Sequence, residues 1–236
     1  MINLPNITLT LIDGTGKDTS DLLNVIDICT NAIVFGEIVL ITADTSIKPQ
    51  SKITVQIIEK MSYAEYNSFC ILKLSKFINT DYCLIVQTDG FISNPHNFDH
   101  QFFDYDYIGA PWVDEGGGNN FNWIPEPKTR HLVGCGGFCL RSKKLLELGS
   151  KINSTLIANM TQQGMGEDVI ICIYLKEYFE NHGCKFPSWD FAKKFALGST
   201  NINHLKKEDL ENTFGFHSND YKPLVTEIRK QWYVKN

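Results

Sequence analysis

Short runs of apolar and β-branched residues alternate along the chain with longer stretches in which apolar positions recur every three or four residues. The first pattern is that of strands and the second that of amphipathic helices. Ile7 to Ile12 reads as a strand that stops at the turn Asp13-Gly14-Thr15-Gly16. Ser20 to Ala32 then reads as a helix, with Leu22, Leu23, Val25, Ile26, Cys29 and Ile33 at helical spacing. Glu37 to Thr42 forms a second strand ending at Ala43-Asp44. Ala64 to Ile78 predicts a helix with Phe69, Ile71, Leu72, Leu74, Phe77 and Ile78 on its apolar side. It leads into an apolar run from Asp81 that breaks off at Gln87-Thr88-Asp89-Gly90.

This order of strand, helix, strand, helix, strand predicts a mixed, mostly parallel sheet flanked by helices, an α/β fold with ligands at the carboxyl ends of its strands. Further along, Tyr107 to Trp112 reads as a strand and turn, and the Gly- and Asn-rich stretch Asp114 to Asn122 as a candidate lid. Val133 to Leu140 alternates around Gly134, Gly136 and Gly137, and Ser142 N-caps a helix through Leu148. Glu167 and Asp168 open a long, largely buried helix that stops near Gly183. No repeat, low-complexity tract or linker divides the chain, so residues 1–236 are expected to form a single domain.

Composition narrows the function classes. The 236 residues are 43% hydrophobic and 21% charged, as in a folded protein with a firm core. A net charge of -5 offers no basic stripe for nucleic acid, although a few local cations, a metal ion or a helix N-terminus can hold a small diphosphate. The seven cysteines sit mostly in apolar runs without a Cys-x-x-Cys pair, which reads as reduced core residues rather than a zinc site. The start of the sequence lacks the pattern of a secretory signal, and no window reaches the roughly 20 apolar residues of a membrane span. A cytoplasmic location is expected.

Several groups could do chemistry. Gln87 and Asp89, two apart on a strand, would share a face, where the carboxylate can ligate a divalent cation that bridges a diphosphate; a plain turn after a buried strand is the alternative. Glu167 and Asp168 share a helix start, which suits capping or a general base that takes a proton from an attacking hydroxyl. His217 follows Phe214-Gly215-Phe216 and reads as a metal ligand or a packed core histidine. Trp112 and Trp123 flank the Gly-rich stretch and could stack on a sugar ring or pack in a core. Asp13 to Lys17 lacks the Lys-Ser/Thr of a P-loop, and it serves a nucleotidyltransferase phosphate loop poorly.

Taken in order, Gln87-Thr88-Asp89-Gly90, Tyr107-Ile108-Gly109-Ala110-Pro111-Trp112, Gly134-Cys135-Gly136-Gly137-Phe138, Gly166-Glu167-Asp168 and Phe214-Gly215-Phe216-His217 resemble the GT-A fold glycosyltransferases, whose domain is Rossmann-like. More narrowly they resemble an uncharacterised glycosyltransferase-like family with a Gln-x-Asp-Gly signature, over about residues 60 to 220. The resemblance implies transfer of a hexose from a nucleoside diphosphate sugar to the hydroxyl of a glycan or other acceptor, with inversion and the help of Mn2+ or Mg2+. It implies that Asp89 and His217 hold the metal, with Gln87 standing where the family's Asp-x-Asp motif has its first acid. It implies Asp168 as the base, with Glu167 orienting the acceptor. Gly136 and Gly137 match small residues that admit the sugar, Asn67 matches a position reaching toward the donor, and Asp13 and Asp44 stand where such folds contact the nucleoside. A non-catalytic nucleotide-sugar or carbohydrate-binding module is the alternative that Gln87 leaves open.

Overall fold

Strand β1 (Ile2–Asp13) begins five residues before the alternating run that announces it and ends at the expected turn. The computed structural model of the protein describes residues 1–48, 50–113, 131–198, 210–218 and 227. The predicted candidate lid, Asp114 to Asn122, and Trp123 lie outside the described residues. After β1 come α1 (Thr19–Thr30), β2 (Ile33–Thr42), β3 (Thr54–Ile57) and α2 (Tyr63–Leu72). Next are β4 (Tyr82–Ile85), β5 (Tyr107–Gly109), β6 (Pro111–Val113), β7 (His131–Val133) and β8 (Cys139–Ser142). The remainder carries α3 (Lys143–Gly149), α4 (Ser154–Gln162), α5 (Glu167–Val169), α6 (Lys176–Asn181), α7 (Trp189–Phe195), β9 (Ala196–Gly198) and β10 (Gly215–His217).

The main sheet has the order β3-β2-β1-β4-β8-β5. The first four strands are mutually parallel, while β8 runs antiparallel to both β4 and β5. The sheet is therefore mixed and mostly parallel, as the pattern predicts. From β1 the chain winds outward to β2 and β3 on one side, and β4 joins on the other. The order reverses between β1 and β4, and the crevice outside their carboxyl ends is where ligands settle in open α/β sheets.

Side chains alternate across the sheet and fill a core on each face. Leu84 and Val86 of the β4 segment, Ile108 of β5 and Leu140 of β8 join Leu22, Val25 and Ile26 of α1 on one face. Cys83, Ile85, Tyr107 and Cys139 join Phe69, Cys70 and Ile71 of α2 on the other. Phe102, Phe138, Phe195 and Phe214 pack in the first core with ring centroids 5.1 to 6.1 Å apart. All seven cysteines are buried thiols outside any disulfide, as expected. Among the described residues no helix is long and apolar enough to cross a membrane.

Four sequence expectations change in detail. Ala64–Ile78 is not one helix: α2 stops at Leu72, and a 3-10 turn, Leu74–Phe77, follows. The long helix from Glu167 is also broken, because α5 passes into a π-helical turn, Ile170–Tyr174, before α6. Tyr107–Trp112 divides between two sheets, since β6 leaves the main sheet to pair with β7. Val133–Leu140 likewise ends one strand and begins another, with a glycine-rich loop between them.

Candidate functional site

Strand β4 ends at Ile85, so Gln87 and Asp89 do not share a strand face. Gln87 and Gly90 instead exchange backbone hydrogen bonds of 2.8 and 3.1 Å and close a tight turn beyond the strand. Within that turn Gln87 Nε2 donates to the Tyr66 hydroxyl at 3.0 Å. Asp89 Oδ1 lies 3.4 Å from His217 Nε2, and the Asp89 carbonyl accepts from the Ser218 N–H at 2.8 Å. The turn of β4 and the end of β10 are thereby joined, and Asp89 and His217 stand side by side. Burial opposes charge on the His217 ring, but the Cys135 sulfur and the Asp89 carboxylate outweigh it and raise its pKa above the ordinary imidazole range.

The loop between β7 and β8 links this pair to the acids of α5. Cys135 Sγ lies 2.9 Å from His217 Nδ1, and the Gly136 N–H donates to Asp168 Oδ2 at 2.8 Å. A Cβ on Gly137 would run into the His217 ring, and one on Gly136 into the Glu167 carboxylate. The space these glycines leave is thus filled by the chain's own functional groups. Gly90 serves the same purpose beneath the turn, facing His217 and the Gly137 carbonyl.

Glu167 is 6% exposed and accepts from Arg141 Nη2 at 2.6 Å, while Arg141 itself is fully buried on β8. Arg141 also donates from Nε to Cys139 Sγ at 3.3 Å and stands over the Tyr107 ring at 5.2 Å. A buried ion pair with these further contacts fixes Glu167 inside the protein. Asn67, buried on α2, accepts the Glu167 N–H at 2.8 Å and donates to the Tyr63 carbonyl at 2.7 Å. Both ends of its amide are engaged beneath the α5 turn.

Asp168 faces outward from that turn. It borders a cleft of about 470 Å³ together with Tyr63, Trp112, Met165, Gly166 and Tyr174. Burial first, and then the negative charge of Glu167, raise its carboxyl to about 6, against the hydrogen bonds from Gly136 and Val169. A carboxyl that titrates there is suited to take up a proton near neutral pH.

A second cleft of about 310 Å³ opens at the carboxyl ends of β1 and β4, lined by Asp13, Thr15, Met61, Tyr63, Tyr66 and Gln87 among others. Asp13 builds its rim. Oδ1 accepts from the Thr15 N–H, the Thr15 hydroxyl and the Gly16 N–H, and Oδ2 from the Asp18 N–H and the Thr19 hydroxyl, all at 2.7 to 3.1 Å. Burial alone would raise the Asp13 carboxyl, but these bonds hold it below the usual range. Asp44 is engaged by the Ser46 N–H and hydroxyl at 2.8 and 2.6 Å and lines neither cleft. Tyr63, 65% exposed, borders both clefts.

Among the described residues no three His, Cys, Asp or Glu side chains converge as a ready metal cage. Asp89 Oδ1 and His217 Nε2 are nevertheless close enough for one cation to reach both, so the donor set fits a divalent ion whose remaining ligands come from a diphosphate or water. Tyr63, Tyr66, Cys135 and Arg141 were not foreseen from the sequence. The one local sign was a cysteine among three glycines in Gly134-Cys135-Gly136-Gly137; Arg141 gave none.

The model of a family described as a protein of unknown function, DUF5672, matches residues 52–217. That span begins before β3 and ends at His217, so it includes every element that builds the two clefts except β1, its turn and α1. Among solved structures, a galactosyltransferase LgtC in complex with donor and acceptor sugar analogs is similar at 10% identity and a TM-score of 0.44, over 98% of this chain and 96% of that one. A structure of an active-site mutant of LgtC is similar to the same degree. Comparison with curated proteins finds no match.

Proposed function

The chain belongs to the DUF5672 family, and from that premise we propose that it is a GT-A-like glycosyltransferase, one domain over residues 1–236. It moves a hexose from a nucleoside diphosphate sugar to a hydroxyl of a glycan or other acceptor. The observation that carries this reading is one short loop tying a candidate base, Asp168, to a candidate cation pair, Asp89 and His217. The cleft at the β1/β4 reversal suits the nucleotide, with Tyr63 and Tyr66 offering aromatic faces and Gln87 at its edge. The Asp168 cleft suits the acceptor, whose ring can lie against Trp112 and Tyr174. The Gln-x-Asp-Gly turn and the buried free cysteines are consistent with this reading, which takes the cytoplasm as its setting.

The reaction would be a single inverting displacement. The acceptor oxygen attacks the anomeric carbon while its proton passes to Asp168, and the bond from that carbon to the diphosphate oxygen breaks. Asp89 and His217 would hold Mn2+ or Mg2+, which when bound offsets the charge developing on the leaving diphosphate. Glu167, anchored by Arg141, keeps the turn in place and holds the Asp168 carboxyl high enough to act near neutral pH. Gly136 and Gly137 leave room for Glu167 and His217, and Asn67 supports the turn that presents Asp168.

Calorimetric titration with a panel of nucleoside diphosphate sugars, with and without Mn2+, tests the reading. One class of donor is expected to bind, and Asp89→Ala to weaken it at least tenfold. Absence of binding by every donor contradicts the proposal. Gln87 favours a second reading, a non-catalytic nucleotide-sugar-binding module, because an amide engaged by Tyr66 brings no charge to the cation. Binding without donor turnover would select it.

A further inference from the structure

The loop Gly134-Cys135-Gly136-Gly137 has one residue with a side chain, and that residue alone takes the left-handed backbone, Cys135 at φ 57°. The conformation suits glycine and costs a residue with a Cβ on the order of 1 kcal/mol. A cysteine there, between glycines that keep ordinary φ, points to a use for its sulfur. The sulfur lies 2.9 Å from His217 Nδ1, and the opposite nitrogen of the ring lies 3.4 Å from Asp89 Oδ1. Gly90 and Gly137 leave the space in which the ring stands. Cys135 is 6% exposed and lines neither cleft, so a substrate in either one does not meet the sulfur.

We infer that Cys135 is a positioning residue: its sulfur engages Nδ1 of His217 and so fixes the ring plane in which Nε2 faces Asp89. Groups that hold the far nitrogen of a metal-binding imidazole set its orientation and tune its affinity. The inference deepens the proposed reading and rests on it, because it takes the position between Asp89 and His217 as the cation site. It assigns no bond-making step to the sulfur. The strained backbone is the structural cost of presenting the thiol at the one place where it meets the ring.

The test uses the full chain with 15N-labelled histidine and no metal, as wild type, Cys135→Gly, Cys135→Ala and Cys135→Ser. In the wild type and the Ser variant, the His217 ring nitrogens are expected to show the shifts of a ring hydrogen-bonded at both nitrogens. In the Gly and Ala variants the Nδ1 shift moves toward that of a solvent-exposed ring. The Gly variant should melt no lower than the Ala variant, since glycine relieves the strained backbone, which separates loss of positioning from loss of fold. Mn2+ affinity, read by electron paramagnetic resonance, should fall about 10- to 100-fold in the Gly and Ala variants. Unchanged His217 nitrogen shifts in the Gly variant overturn the inference, as does wild-type Mn2+ affinity in both variants. A wild type that binds no Mn2+ while its His217 shifts respond to Cys135→Gly upholds the positioning and overturns the cation reading instead.

Discussion

Asp168 carries a charge that its surroundings oppose, first through burial and then through Glu167, so its carboxyl rises from 3.8 to about 6. A raised acid gives its full contribution to stability below pH 3.8 and loses it as pH climbs through about 6. Asp168→Asn has no charge to bury, so it should melt above the wild type at pH 8 and level with it below pH 4. Thermal melts at the two pH values check this. Sugar transfer, in contrast, needs the carboxylate, and the rate should climb as pH rises through about 6. Behind this acid, the Arg141–Glu167 pair predicts a large effect of opposite sign. Arg141→Met leaves Glu167 buried without its partner and should cost about 3–5 kcal/mol in urea unfolding. Adding Glu167→Met should recover part of that loss.

At the scale of elements, the glycine loop before β8 carries the arrangement, because it touches the turn of β4, the end of β10 and the start of α5. Gly137→Ala would push a methyl into the His217 ring and should cost about 1–3 kcal/mol, seen as a lower urea midpoint. Elements with a clean period were legible in the sequence: α1, β4 and the Ser142 cap lie where the pattern puts them. β1 and β2 contain their predicted runs but begin five and four residues earlier, with Ile33 opening β2 rather than extending the helix. What was not legible depends on partners far along the chain. β3 is a four-residue edge strand with little burial to mark it, and β6 leaves the main sheet because it finds β7. The run of residues 169–175 is apolar throughout, so no period could reveal the π-helical turn within it. The acids and His217 were visible as residues, but their grouping was not, because Cys135 and Arg141 look locally like core or strand positions.

Over the whole molecule, the reversal between β1 and β4 puts one cleft at the sheet's carboxyl edge, and the crossover to β8 puts the other beside it. Tyr63 is their common wall, and Asn67 ties its carbonyl to the turn that holds Asp168. Two ligands that meet at Tyr63 would therefore approach each other beside the candidate base. A donor that binds the folded state should raise the melting temperature by mass action, with Mn2+ increasing the shift and Asp89→Ala removing the increase. The most direct test of transfer uses the donor so identified and follows release of the nucleoside diphosphate by the wild type and Asp168→Asn. If Asp168 is the base, both proteins bind the donor equally and the variant turns over about 10²- to 10⁴-fold more slowly. Equal rates in the two proteins would remove Asp168 from that role.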